Sequence, residues 1–276
     1  MNRPYTDDQF AKCIRPYYEQ QMPVKLSTQH NSFPYNSGAS AKWLSMDYLR
    51  ETIDDPDYPC DVESMTSSIV REKMTLGFDE YAAYLEQLQE YFDLLNPGTK
   101  IPQNEIMYMA QNDIPPSLLP DVSIPGFCSD PQYQIGEGKL YSTMIWMGPR
   151  DCVSRLHYDP LDNILMQIIG TKRLYLIEPT ISTDLIYVDT SMYQQHNMSS
   201  IENFDDELIL LSKDTTKKEW KTAHVDVVES QYPNLVQIPT IYETILYPGD
   251  LLYIPSKWWH STVSLEYSIS VNTWWR

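Results

Sequence analysis

The apolar residues of this chain change their spacing part-way along, and that change limits the fold more than any other feature. Phe78, Tyr81, Ala82, Leu85, Leu88, Phe92 and Leu95 recur at steps of three and four residues. That is the period of a helix with one buried face, and Asn96-Pro97-Gly98 ends it. Beyond this point the apolar runs are short. Residues 106–110, 140–147, 163–169, 173–177, 251–254 and 267–274 each read as a strand, with turns at Gly170-Thr171-Lys172 and Pro248-Gly249-Asp250. A proline-rich loop at 115–131 and an irregular, polar stretch at 180–240 lie between them. Upstream, residues 23–26 read as a short strand, and Ser40 as the cap of a helix carrying Trp43, Leu44, Tyr48 and Leu49. Helices first and many short strands afterwards predict a mainly β fold: a β-barrel or double-sheet jelly roll with the N-terminal helices packed around it.

No linker interrupts the 276 residues, so a single domain over 1–276 is expected. Its helical and mixed portion covers 1–105, and its β core covers 106–276 with an insert near 180–240. No apolar run approaches the roughly 20 residues of a membrane helix. The opening MNRPYTDDQF lacks the apolar core of a signal peptide. Cys13, Cys60, Cys128 and Cys152 are far apart and form no CxxC pair, which argues against structural zinc and against a disulfide framework. A reducing cytoplasm or nucleus is the compartment expected. The net charge of −18 repels phosphate backbones, so nucleic acid is an unfavoured partner and a basic peptide or protein a favoured one. The same charge could equally serve solubility alone.

Among five histidines, His157 stands out in Ser154-Arg-Leu-His-Tyr-Asp-Pro160. On a strand, residues two apart share a face at roughly 6–7 Å, so His157 and Asp159 would aim an imidazole and a carboxylate at one point. They would form two members of a 2-His-1-carboxylate set, which holds Fe(II) on one side and leaves positions open. A lone His-x-Asp is more often a polar pair at a strand end, and the chain has a second one in His224-Val225-Asp226. His260 supplies the third member. A turn, an apolar strand and then Trp258-Trp259 lead to it, about a hundred residues after the pair. Beside two tryptophans it could be a hydrogen-bonded core histidine; paired with His157 and Asp159 it reads as a ligand from a neighbouring strand. His30 and His196 lie in polar contexts without such a frame.

Taken together, His157-Tyr-Asp159, Asn163, Gln167, Gly170 and Lys172, then Pro248-Gly-Asp250, Ile254-Pro255 and Trp258-Trp259-His260, then Ser270-Val-Asn272-x-Trp274, resemble the JmjC family of Fe(II)/2-oxoglutarate oxygenases. The likeness is dense from Trp146 onward and looser over 23–110. Within the family the chain looks like the small hydroxylases that act on asparaginyl, arginyl or lysyl side chains or on tRNA wybutosine. Trp146-Met-Gly-Pro149 and Trp274-Trp275 lean toward the arginyl-hydroxylase-like branch.

The resemblance implies a double-stranded β-helix of the cupin type, with Fe(II) held by His157, Asp159 and His260. It implies 2-oxoglutarate as cosubstrate and O2 as oxidant. Lys172 would pair with the far carboxylate of 2-oxoglutarate, with Tyr108, Ser154, Asn163 and Asn272 at other pocket positions and Trp146 along the wall. It also makes His224 and Asp226 part of a variable insert and not ligands. From the residues alone, Lys172 could be an exposed turn lysine, Tyr108 and Trp146 core packing, and the stripe Ser268, Ser270, Asn272 a solvent-facing one.

The expected activity is hydroxylation of a side chain in a protein substrate. The alternatives are histone lysine demethylation, weakened by the absence of zinc-finger cysteines and by His-x-Asp in place of His-x-Glu, and tRNA hydroxylation, weakened by the acidic charge. The only basic cluster is Lys213, Lys217, Lys218 and Lys221. A non-catalytic cupin binding module and a zinc hydrolase with the same ligands stand as readings of another class. Some JmjC relatives dimerise through helices after the barrel; with none here, a monomer is expected.

Overall fold

A computed structural model describes residues 6–27, 37–65, 72–94, 99, 102–188, 197–206, 208 and 232–276. His30, His196, His224, Asp226, the lysines between 213 and 221, and the helix stop at 95–98 lie outside the described residues. The chain begins with α1 (Asp7–Gln20), β1 (Val24–Leu26), α2 (Ser37–Lys42), α3 (Met46–Ile53), β2 (Pro59–Ser64), β3 (Lys73–Gly77) and α4 (Phe78–Leu94). The strands β4 (Met107–Asp113), β5 (Leu140–Gly148), β6 (Val153–Tyr158), β7 (Asp162–Ile169) and β8 (Lys172–Ile177) follow. The last four are β9 (Tyr242–Leu246), β10 (Leu251–Ile254), β11 (Trp259–Ser264) and β12 (Ser268–Trp275).

Among the described residues every strand pairing is antiparallel, and the strands form two sheets. The larger has the order β1-β10-β7-β12-β5-β4-β2-β3, the smaller β6-β11-β8-β9. This is the expected double-sheet jelly roll, with its helices in the N-terminal part. The outer face of the large sheet carries Ile145, Met147, Ile164, Met166, Ile168, Ile269 and Val271, which pack on Phe10 and Ile14 of α1, Leu49 of α3, and Tyr81 and Leu85 of α4. Its inner face meets the small sheet, with Leu165, Leu252 and Ile254 against Leu174, Leu176 and Leu246. The outer face of the small sheet is covered by the insert, whose Ile186, Ile201, Phe204 and Leu208 join Leu156, Tyr175 and Trp259.

Gly170 makes the crossing between sheets feasible. It sits at φ +67°, and a Cβ there would lie 1.9 Å from the Tyr267 carbonyl oxygen. The Gly170 turn therefore joins β7 in one sheet to β8 in the other, and these two strands do not pair with each other.

Two local readings are corrected. The expected helix at Ser40 is two helices, and the cap is Ser45, whose Oγ accepts from the Tyr48 N–H at 3.2 Å. α1 was not expected at all. It is nucleated by a capping box in which Thr6 Oγ1 accepts from the Gln9 N–H and Gln9 Oε1 accepts from the Thr6 N–H.

The long helix α4 does more than pack. Its Tyr81 hydroxyl donates to the Met147 carbonyl at 2.7 Å and accepts from the Met109 N–H at 3.1 Å, beside an irregularity in the β4–β5 register. One turn on, the Tyr84 hydroxyl accepts from the Met107 N–H at 2.8 Å and donates to the Glu105 carbonyl at 3.1 Å. These phenols satisfy backbone groups that a regular ladder would have paired.

Candidate metal centre

The triad is built where the small sheet meets the end of β7. His157 on β6 and His260 on β11 are direct partners in the antiparallel ladder, and their ring centroids are 4.3 Å apart. Asp159 lies just past the end of β6, where Pro160 stops the strand, and turns back toward both rings. His157 Nε2 is 3.9 Å from Asp159 Oδ1, and His260 Nε2 is 3.8 Å from Asp159 Oδ2. Ligand atoms of all three lie within 4.8 Å of one another, the group of this kind found among the described residues.

The tautomers follow from the partners. A backbone carbonyl can only accept, so the short contacts of His157 Nδ1 to the Arg155 oxygen (2.7 Å) and His260 Nδ1 to the Trp258 oxygen (3.0 Å) place a proton on each Nδ1. Both Nε2 lone pairs then face the centre, as metal-binding imidazoles require. Burial, and then the nearness of His157, push the His260 imidazolium down in pKa against the pull of Asp159, so the neutral ligand form holds at pH 7. Burial by itself would raise the Asp159 carboxyl. His260 and His157, with hydrogen bonds from Trp274 and Asn163, outweigh it and keep the group below its ordinary value. Two neutral imidazoles and a carboxylate on one side of a point suit a divalent iron with open positions.

Asp159 is held by a chain of side chains. Trp274 Nε1 donates to its Oδ2 at 2.8 Å, Asn163 Nδ2 to the same oxygen at 3.4 Å, and Asn272 Nδ2 to Asn163 Oδ1 at 3.1 Å. Both donors use Oδ2, which leaves Oδ1 for a ligand. Asn163 and Asn272, expected in a cosubstrate pocket, thus first of all orient the carboxylate. The hydrogen bond from Trp274 was not anticipated, because its indole reaches Asp159 only once β12 lies beside β7.

Lys172 is not an exposed turn lysine. It is 2 % exposed and projects inward, where Nζ donates to Ser270 Oγ at 2.7 Å and to the Tyr108 hydroxyl at 3.1 Å. Among the described residues no carboxylate pairs with it, and burial lowers its pKa to about 8. Tyr108 is part of the core and also meets the lysine: its ring packs with Ile106 and Cys152, while its hydroxyl accepts from Lys172 Nζ. Trp146 is half-buried, 5.9 Å from the Tyr108 ring, with its indole N–H buried and without a hydrogen-bond partner among the described residues.

The stripe Ser268, Ser270, Asn272 faces this lumen and not solvent, the three being 0, 0 and 7 % exposed. Ser154 reaches the lumen through a register shift. His260 pairs with His157 but Thr262 with Ser154, so one extra residue on β6 returns Ser154 to the face of His157.

A family model described as a cupin-like domain matches residues 11–276. The chain belongs to this cupin-like family. It is also similar to several proteins named for the Jumonji C domain. It is 28 % identical over 283 residues to Jumonji C domain-containing protein 5 of Drosophila melanogaster, covering 100 % of this chain and 59 % of that protein. It is 27 % identical over 267 residues to lysine-specific demethylase JMJ30 of Arabidopsis thaliana, covering 95 % and 52 %. It is 29 % identical over 161 residues to tRNA wybutosine-synthesizing protein 5 of Danio rerio, covering 58 % and 39 %. The cupin-like chain thus spans about half the length of the curated relatives it matches.

Proposed function

We propose that this cupin-like domain is an Fe(II)- and 2-oxoglutarate-dependent oxygenase that hydroxylates a side chain of a protein substrate. Lys172 carries the reading. An ammonium buried on the lumen face of the triad, with hydroxyl partners but no carboxylate among the described residues, calls for an anionic ligand. Neither a binding-only jelly roll nor a zinc hydrolase with the same three ligands has use for it.

Iron held by His157, Asp159 and His260 would supply, with 2-oxoglutarate and O2, an oxidant for a C–H bond as the cosubstrate leaves as succinate and CO2. The residues of the chain do the rest. The Nδ1 hydrogen bonds fix both imidazoles, and Trp274 and Asn163 fix the carboxylate. Lys172, Tyr108 and Ser270 receive the far carboxylate of the cosubstrate, and the Ser154 hydroxyl lines the same lumen. Trp146 and the buried inner face keep water from the reacting centre.

The net charge of −18 supports a basic polypeptide over tRNA as the partner. Four free cysteines, three of them buried, support a reducing compartment, cytoplasm or nucleus. A second reading, removal of an N-methyl group by the same chemistry, is raised by the relatives named lysine-specific demethylases.

The test is anaerobic titration of Fe(II)-loaded protein with 2-oxoglutarate, followed by the visible charge-transfer band of the chelate. The band is expected in the wild type, absent in His157→Ala and weakened in Lys172→Ala. Its absence in the wild type sinks the oxygenase reading. With basic peptides, a product heavier by one oxygen supports hydroxylation, and release of formaldehyde supports demethylation instead.

A further inference from the structure

The segment that covers the open edge of β6 sets a methionine beside His157. The Tyr158 N–H donates to the Asn197 carbonyl at 3.0 Å, the Ser199 N–H donates to the Leu156 carbonyl at 2.8 Å, and the Asn197 side-chain amide donates to the Tyr158 carbonyl at 3.0 Å. Met198 and His157 are therefore antiparallel partners. The hydrogen bonds flank this pair and do not join its two residues. In such a pair the Cα atoms approach to about 4.5 Å, and the side chains lie closest, on one face.

His260 is the partner of His157 on its other side. Met198, His157 and His260 thus form one row across adjacent strands, with the metal ligands at its centre and end. The segment is also fixed from behind. The Ser200 N–H donates to the Tyr187 carbonyl at 2.9 Å, and Ser199 Oγ donates to the Ile186 carbonyl at 2.5 Å. Met198 is half-buried, so its side chain is not sealed in the core.

We propose that Met198 is a self-oxidation site: in turnover without substrate, its thioether takes the oxygen atom otherwise delivered to the substrate. The inference rests on the oxygenase reading above. The balance closes with O2 and 2-oxoglutarate alone. The O–O bond breaks; one atom enters succinate as the C1–C2 bond of 2-oxoglutarate breaks and releases CO2. The other atom forms the S–O bond. The cosubstrate and the sulfur each give two electrons, and no proton or leaving group is required. The product, methionine sulfoxide, sets a polar group beside His157 in place of an apolar one and is open to reduction by sulfoxide reductases. It brakes idle turnover until it is reduced.

The full chain is incubated with Fe(II), 2-oxoglutarate and 18O2 but no substrate, and its methionines are mapped by mass. Met74, 42 % exposed and on the distant edge strand β3, is the internal control. Met198 is expected to gain one 18O in a 2-oxoglutarate-dependent way, roughly tenfold ahead of Met74. Equal oxidation of the two, oxygen drawn from water, or succinate release with Met198 untouched would overturn the proposal while leaving the oxygenase reading standing. Absence of the chelate band and of succinate would remove both.

A second readout needs no turnover. With methyl-13C-methionine protein, added Mn(II) is expected to broaden the Met198 methyl signal, assigned by Met198→Leu, and to leave that of Met74 sharp. A Met198 signal as sharp as that of Met74 would place the thioether too far away and end the proposal.

Discussion

On the face of β12 that meets the helices, Ile269, Val271 and Trp275 lie in the main apolar core. On the opposite face of the same strand, Ser268, Ser270, Asn272 and Trp274 line the lumen, where Ser270 bonds Lys172 and Trp274 bonds Asp159. Both faces are buried, and the contrast lies in what burial is for. One face removes hydrocarbon from water and holds the sheet to its helices. The other keeps polar groups dry and paired to one another. Alternation along a strand normally separates core from solvent; here it separates core from site.

Substitutions on the two faces should therefore fail in different ways. The largest effect belongs to the ligands: His157→Ala should lower 2-oxoglutarate turnover roughly 1,000-fold, since the metal contributes several kcal/mol, with thermal unfolding little changed. A variant that kept turnover would break the comparison. On the helix side, Ile269→Ala should cost about 2–5 kcal/mol in denaturant unfolding, while the protein that remains folded binds 2-oxoglutarate normally.

The next effect belongs to the lysine. Lys172→Ala should weaken 2-oxoglutarate binding roughly 10- to 100-fold by calorimetry, the scale of a charged hydrogen bond, and should leave the melting temperature unchanged or raised. Its pH dependence has a definite sign. Burial lowers Lys172 to about 8, below its value in the unfolded chain. The folded protein thus disfavours the charged form. The cost to the ligand-free protein is fully present below about 8 and is relieved as pH rises from there toward the ordinary lysine range. Binding needs the ammonium, so 2-oxoglutarate affinity should fall as pH passes about 8, and Lys172→Arg should abolish that fall. The smallest effect is that of Trp274→Phe, which keeps the packing but frees Asp159 Oδ2. Metal affinity should drop roughly tenfold, measured by competition with a chelating dye.

The contrast also marks what could be read from the chain. His157, Asp159 and His260 are legible because a common His-x-Asp is joined, about a hundred residues on, by a histidine after two tryptophans, and the alternation in β12 is legible because its period is strict. Whether its polar stripe faced water or a lumen was not, since alternation does not say what lies opposite. The Trp274–Asp159 bond and the Met198–His157 pairing depend on strand neighbours 115 and 41 positions away in sequence, which no local pattern encodes. The strands β2, β3 and β9 were missed because they are short and mix polar with apolar residues, and β6 and β11 were read only as carriers of their histidines. α1 was missed although Thr6 and Gln9 spell its capping box, because Pro16 and scattered charges mask its apolar face.

Tyr108 hangs between two anchors. Its neighbours Met107 and Met109 are held by the phenols of Tyr84 and Tyr81, and both phenols stand on one helix outside the jelly roll. Pocket wall and helix therefore move as one piece. The hydroxyl that meets the buried lysine is set from the back of the molecule, so a crosslink or a bound partner that tilted α4 would change the lysine's setting without ever touching it.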